Sequence, residues 1–360
     1  MDPSAWAEVV AAGRDAGLDA LGTTSARPWT ANRSVLEARR GDGLAGGMAF
    51  TYRNPARSTD PTRLLSGATS LAVGLRSHLQ DVPAPPEAGV PARVARYATA
   101  DHYGRLEAAL EVVADGLRSL GHRAVVVCDD NGLVDREAAW RAGLGWYGRN
   151  SLLLHPGAGS WFVIGSVVTD AELPPGSPPV ADGCGTCTRC LPACPTGAIV
   201  APGVVDARRC LSWLLQAPGE FPEEHRVALG DRIYGCDDCQ EVCPPNRTAE
   251  RRAATGARPP AVEDDPGTWL DVVELLSLDD VQLLERCRRW YVPGRDPSVV
   301  RRNLLVVLGN SARPEAPGVA EVLDRHLAWP DPVVASHARW AAERLGGWQA
   351  GGDGGNNGPP

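Results

Sequence analysis

Apolar residues recur at helical spacing over residues 4–17 and again over Tyr103–Leu120, where the pattern stops at Gly121. Between these two helices Leu71-Ala72-Val73-Gly74-Leu75 reads as a buried strand, and Ala124-Val125-Val126-Val127-Cys128 reads as another. Ala138–Ala142 is predicted helical, and Ser151–Leu154 and Trp161–Thr169 are predicted to be strands joined by the hairpin-length turn His155-Pro156-Gly157-Ala158-Gly159. Residues 1–172 are therefore expected to form a mixed α/β domain, bounded by the Pro-rich segment Leu173–Val180. A cysteine-rich domain follows over 173–250. Residues 247–268, rich in Arg, Pro, Ala and acids, predict a linker or surface loop. Beyond it the pattern is helical over 251–346. Asp296-Pro297 and Asp331-Pro332 each open an apolar-periodic helix, 35 residues apart, as in a HEAT-like helical repeat. The tail 347–360, mostly Gly, Asn and Pro, cannot bury a core and is expected to be disordered. The expected fold class is α+β and multidomain.

Charge and composition narrow the function. The net charge of −8 argues against a nucleic-acid binder that works by overall basicity, though a local basic face is compatible with it. All 36 basic residues are Arg, which reads as drift in a GC-rich genome. The first residues carry no basic start followed by an apolar core, and no apolar run reaches the ~18 residues of a membrane span. A cytoplasmic monomer without membrane attachment is expected.

Eight of the ten cysteines fall between Cys184 and Cys243. In a cytoplasmic chain that density points to metal, not disulfides. Cys184-x2-Cys187-x2-Cys190-x3-Cys194-Pro195 has the spacing of the bacterial ferredoxin run, in which three thiolates grip one [4Fe–4S] cubane and the fourth reaches a second. Structural zinc takes two separated pairs of ligands instead. The second run, Cys236-x2-Cys239-x3-Cys243-Pro244, is one cysteine short. If the crossover holds there too, Cys243 completes the cluster of Cys184, Cys187 and Cys190. Cys194, Cys236 and Cys239 then need one more thiolate, and Cys210 lies between the runs. Cys128 and Cys287 stand apart as expected core residues. Two cubanes carry single electrons and do no chemistry of their own, so the α/β domain is expected to hold what spends them.

No familiar cofactor motif supplies the acceptor. Gly41-x-Gly43-x-x-Gly46 has the letters of a dinucleotide fingerprint but follows a helical stretch, Val35–Arg40, and reads as a loop. Asp324-Arg325-His326 lacks the Gly that would complete a cobalamin-binding Asp-x-His-x-x-Gly motif.

Three longer segments are more specific. Asp129-Asp130-Asn131-Gly132-Leu133-Val134-Asp135-Arg136, the run Ala142–Leu153 with Gly148-Arg149-Asn150-Ser151, and Ile233–Pro244, together with Arg96-Tyr97-Ala98, resemble the epoxyqueuosine reductase family over nearly all of residues 1–346. The resemblance implies reduction of the epoxide of epoxyqueuosine at the tRNA wobble position, with cobalamin and two [4Fe–4S] clusters. It implies Asp129 as the proton donor, its pKa well above the ordinary ~3.9, with Asp130 left to the turn. Tyr97, Asp129, Arg149, Asn150 and Ser151 are the candidate cofactor contacts. Two departures stand out: Leu211–Gln216 follows Cys210 where many members have a Tyr-Leu-Thr-Ile-Glu-like stretch, and Arg149 stands where Lys is usual. For the anticodon stem-loop the best patch is Arg286, Arg288, Arg289, Arg295, Arg301 and Arg302, from which Arg288, Arg289, Arg301 and Arg302 are taken as tRNA contacts. An external low-potential electron donor is implied. The competing readings are a corrinoid reductive dehalogenase-like reductase, which would be expected to carry an export signal, and a non-catalytic electron-transfer subunit.

Overall fold

The computed structural model describes residues 1–254 and 267–346. The chain divides into two compact units that interleave in sequence. Met1–Asp81, Ala100–Cys210 and 237–254 make the first; Val82–Thr99, Leu211–Cys236 and 267–346 make the second. This differs from the succession of blocks 1–172, 173–250 and 251–346. The apolar side chains of 82–99 and 211–236, among them Val90, Val94, Leu211 and Ile233, are buried in one core with Leu270, Leu304 and Val334. The expected tail 347–360 and residues 255–266 of the expected loop lie outside the described residues.

In the first unit, helix α1 (Pro3–Asp15) is capped by Asp2, whose carboxylate accepts from the Ala5 amide at 2.9 Å. Strand β1 (Ala20–Ser25), strand β2 (Ser70–Ser77), helix α2 (His102–Ser119), strand β3 (Ala124–Cys128), helix α3 (Asp135–Arg141) and strand β4 (Phe162–Thr169) follow. The strands form one antiparallel sheet in the order β1-β2-β4-β3. Alternation along β2 and β4 sorts the core into two layers. Ala72, Val163 and Val167 meet Val9 of α1 and Leu106, Leu110 and Val113 of α2. Leu71, Val73, Ile164 and Val168 meet Ala138 and Ala139 of α3 and the buried Trp29. Gly74 and Gly165 face each other across the central pair; a Cβ on either would lie 2.9 or 2.6 Å from Leu110, so both glycines are needed for α2 to lie this close to the sheet.

The predicted helices and strands of this unit are present, with one correction. Of Ser151–Leu154 only Leu153–Leu154 is a strand, and it pairs with Trp146–Tyr147, not with β4. His155 and Gly159 do close the turn. But β4 is buried along its whole length and takes β2 and β3 as neighbours, so it offers no edge for a hairpin partner.

In the second unit, strand Pro91–Val94 lies between Arg232–Tyr234, parallel to it, and Trp269–Asp271, antiparallel. Helices Pro297–Ser311 and Pro332–Arg344 begin where the sequence predicts, with Asp296 and Asp331 accepting from the first-turn amides. These helices do not of themselves establish a HEAT-type repeat. Helix Pro297–Ser311 is enclosed on all sides, from Val299 through Gly309. Among the described residues no helix is long and apolar enough to cross a membrane.

Candidate active site and iron–sulfur centre

Asp129 is the first residue after β3 and takes φ of 51°, in the left-handed region where a non-glycine residue is uncommon and Asp and Asn are tolerated best. The next residues fix that geometry. The Asp130 carboxylate accepts from the Gly132 amide at 2.6 Å, the Asn131 side chain accepts from the Thr51 amide at 3.3 Å, and the Val134 amide donates to the Ser58 carbonyl at 3.0 Å. Asp130 therefore serves the turn, as expected. The Asp129 side chain stays open to solvent on one side, while the protein crowding the others raises its pKa, with a smaller push from the charge of Asp130. Partial desolvation moves this carboxyl in the direction a proton donor needs.

Two more ionisable groups share the neighbourhood. Asp135, at the start of α3, and Tyr103, in the first turn of α2, are both held well above their ordinary pKa values, first by burial and then by the charge of Asp129. Burial also raises the Cys128 thiol. Neither Asp135 nor Tyr103 was singled out in the sequence, where Asp135 stands inside the run Asp129–Arg136 and Tyr103 begins a predicted helix.

Residues 149–151 are fastened to the cysteine segments. The Arg149 guanidinium donates to the Gly185 carbonyl at 2.5 Å, Asn150 donates to the Cys239 carbonyl at 3.4 Å, and the Ser151 hydroxyl donates to the Gly203 carbonyl at 2.8 Å. Ser151, like Asp129, has a positive φ, 64°. Tyr97 belongs to the second unit, half-buried, its ring 6.2 Å from that of Tyr234 and its hydroxyl accepting from Gln216 at 3.4 Å.

Four of the cysteines lie within electrostatic reach of one another: the Cys190 thiol feels Cys184 and Cys187, and Cys243 feels all three. Burial raises Cys190 and pushes Cys243 up to about 11. Amide-to-carbonyl bonds Cys187 to Cys184 and Cys194 to Leu191, at 3.0 and 3.3 Å, turn the chain between successive sulfurs. No three of the described His, Cys, Asp or Glu side chains close on a point as a single metal ion requires. A cubane, which places each thiolate on its own iron, does not ask for that.

Among the second cluster's candidates, Cys194 accepts from the Ala198 amide at 3.2 Å, and the Thr196 hydroxyl donates to the Arg209 carbonyl at 2.5 Å, drawing the Cys194 and Cys210 loops together. Helices Cys190–Ala193 and Asp238–Glu241 pack against each other, bringing Cys239 into the same module, while Cys236 ends the segment assigned to the second unit. A buried polar knot secures the return: Ser160 donates to Gln240 at 2.8 Å, and Asn246 donates to Ser160 and to the Gln240 carbonyl, both at 2.9 Å. Sequence reasoning missed Gln240 and Asn246. The one signal for them is polarity beside cysteines, which a solvated turn would also show.

The basic patch splits. Arg286, Arg288, Arg289 and Arg295 are exposed, Arg288 beside Glu285 at 3.2 Å. Arg301 and Arg302 are 1 % and 0 % exposed, which removes them from any surface a phosphate could reach. Arg301 pairs with Asp280 at 2.8 Å and lies 4.4 Å over Trp329. Arg302 donates to the carbonyls of Leu214 and Ala217 at 2.8 and 2.5 Å, and to that of Gly219. They sit on the helix Pro297–Ser311, which is covered on every face.

Residues 183–246 match the family model of a 4Fe–4S double cluster binding domain. The chain is 34 % identical to the epoxyqueuosine reductase of Vibrio cholerae over 324 residues, 86 % of this chain and 84 % of that one. It is 33 % identical to that of Xanthomonas campestris over 359 residues, 96 % and 98 % of the two chains. Among solved structures, an epoxyqueuosine reductase bound to an epoxyqueuosine-modified tRNA-Tyr stem loop superposes with a TM-score of 0.84, at 28 % identity over 95 % of this chain and 90 % of that one. The Bacillus subtilis enzyme, solved with its catalytic aspartate loop swung out of the active site, gives 0.83 at 27 % identity over the same shares.

Proposed function

The chain belongs to the epoxyqueuosine reductase family, and on that premise we propose that it reduces the epoxide of epoxyqueuosine in the tRNA wobble position to the alkene of queuosine, with Asp129 as the proton donor. The observation that carries the reading to a residue is the acid itself: a carboxyl in left-handed backbone just past a sheet strand, with a raised pKa and one side open. An acid sealed in the core could not meet a substrate; one fully in water would be ionised. This open side suits a planar cofactor and a base extruded from an anticodon loop. The catalytic aspartate loop that moves in the Bacillus subtilis enzyme supports the same assignment.

Cys184, Cys187, Cys190 and Cys243 would hold one [4Fe–4S] cluster, and Cys194, Cys210, Cys236 and Cys239 the other. Tyr97, Arg149, Asn150 and Ser151 are the residues we assign to the corrin, the last three by fixing their loop against the cysteine segments. When bound, the clusters deliver single electrons and cobalamin a cobalt reducible enough to open a C–O bond, chemistry that no side chain provides. Asp129 protonates the oxygen as it leaves. Exposed Arg288 and Arg289 neutralise stem-loop phosphates, contacts that need charge and reach and carry no sequence information.

The test is conversion of epoxyqueuosine-containing tRNA by the anaerobically reconstituted chain with cobalamin and a low-potential reductant, read by mass spectrometry of the nucleosides. Queuosine formation is expected. Loaded protein that binds the tRNA and leaves the epoxide intact would overturn the assignment.

A further inference from the structure

The short strand Trp146–Tyr147 and the residues just after it grip the first cysteine run on both sides of Cys184. The Trp146 ring packs so closely on Gly183 that a Cβ there would lie 2.6 Å from Cζ2 and 2.8 Å from Cε2. Only glycine leaves room for this indole, whose N–H is buried and meets no acceptor among the described residues. Gly185, on the other side of Cys184, takes φ of 52°, a left-handed turn that glycine enters without strain. Its carbonyl accepts from the Arg149 guanidinium at 2.5 Å. Arg149 is itself fixed, because its own carbonyl accepts the Gly203 amide at 2.8 Å and the adjoining Asn150 is buried. The guanidinium is therefore held against the loop that joins Cys184 to Cys187, where the Cys187 amide returns to the Cys184 carbonyl at 3.0 Å. Burial raises the Cys190 thiol, and Arg149 pulls it the other way, as a cation beside the run must.

We propose that Arg149 is the positioning residue of the cluster assigned to Cys184, Cys187, Cys190 and Cys243: it pins the Cys184–Cys187 loop and holds a fixed positive charge there that raises the cluster's reduction potential. The inference rests on that ligand assignment. Four thiolates leave the cluster negative, and the electron it takes from the external low-potential donor deepens that charge. A nearby cation stabilises the reduced form more than the oxidised one, since the attraction grows with the charge it meets. A guanidinium stays protonated throughout, so this contribution is always present. Other charges stand on the same run. Asp182, whose carboxylate accepts the Cys184 amide at 2.8 Å, and Arg189 both lie in the open, where water and salt screen them. Arg149 is half-buried and is screened less, so its charge weighs more on the cluster than either. A residue just past a strand of the unit that carries Asp129 thus sets how readily electrons enter the wire.

Arg149→Gln and Arg149→Lys separate charge from shape. The anaerobically reconstituted chain is titrated potentiometrically and its reduced clusters are followed by electron paramagnetic resonance, a readout that needs neither cobalamin nor tRNA. In Arg149→Gln one of the two midpoints should fall, that cluster's reduction becoming about tenfold less favourable, which is about 59 mV for a single electron. The other midpoint should move much less. Arg149→Lys keeps the charge and should stay near the parent. Two unmoved midpoints in Arg149→Gln overturn the proposal. So does a Lys variant that shifts as far as the Gln variant, because shape and not charge would then be what matters. Should Arg149→Gln fail to hold one cluster, the iron count takes the place of the midpoint: Arg149→Lys must keep both clusters, and its loss of the same one overturns the proposal. Unmoved midpoints beside a parent that holds both clusters and converts epoxyqueuosine sink this proposal alone. A parent that takes up fewer than two clusters sinks the ligand assignment and the proposal with it.

Discussion

Asp129 combines two properties that a point mutation can separate. Asn accepts left-handed backbone at least as well as Asp, so Asp129→Asn should fold and bind its clusters and tRNA unchanged. It cannot surrender a proton, and single-turnover reduction should slow by ~10²–10⁴, the usual share of general acid catalysis. Reaction at the parent rate with prereduced protein would place the proton donor elsewhere. Arg302 makes the opposite case. It remains a cation, though burial lowers its pKa to about 10, and its bonds go to backbone carbonyls. Arg302→Ala should therefore cost roughly 3–5 kcal/mol of stability, measured by denaturant unfolding. The exposed pair Arg288→Glu with Arg289→Glu should leave stability nearly untouched and weaken tRNA binding with a flatter salt dependence. The resemblance singled out Asp129, but its left-handed backbone was not legible, because the position carries no glycine. Arg301 and Arg302 misled for a physical reason: a run of charge at helical spacing says nothing about which faces of the helix will be covered.

At the level of elements, the strongest patterns were read correctly and the short ones were missed. Helices α1 and α2 have clear apolar periodicity and strands β2 and β4 near-continuous burial, and the sequence places them within a residue or two. The three-residue strands Arg232–Tyr234 and Trp269–Asp271 have no period to detect; long-range pairing with Pro91–Val94 makes them strands. In the C-terminal helices the burial of two histidines adds something the pattern could not show. His326 donates from Nδ1 to the Val322 carbonyl at 2.6 Å and accepts from Arg301 at Nε2, 3.3 Å away. His337 donates likewise to Val333 at 2.7 Å and accepts the Phe221 amide at Nε2, at 3.1 Å. Each ring is therefore neutral with its proton on Nδ1, and burial lowers both pKa values to about 4. In the unfolded chain they would titrate near ~6.5, so the unfolded state takes up protons first as pH falls. The second unit should be stable at neutral pH and lose stability progressively between those values. His337→Gln, which can keep an acceptor without titrating, should flatten the slope. An unchanged dependence of the denaturation midpoint on pH in that variant would dismiss this account.

For the molecule as a whole, the cysteine count was legible because ligand spacing is a local rule, and the interleaving of the two units was not, because it is set by which apolar surfaces find each other. The proposed ligand assignment can be tested directly. Cys210→Ala should lose one cluster, about half the iron, and spare the cluster assigned to Cys184, Cys187, Cys190 and Cys243. Two intact clusters in that variant would reassign the ligand. The interleaving also has a consequence for synthesis. Strand Pro91–Val94 leaves the ribosome early, yet both its partners, at 232–234 and 269–271, are still untranslated. The strand must wait with its edges bare, and the second cysteine run emerges only with the first of those partners. A nascent chain arrested before residue 232 should therefore be captured by chaperones and should assemble neither cubane, however much iron and sulfide surround it.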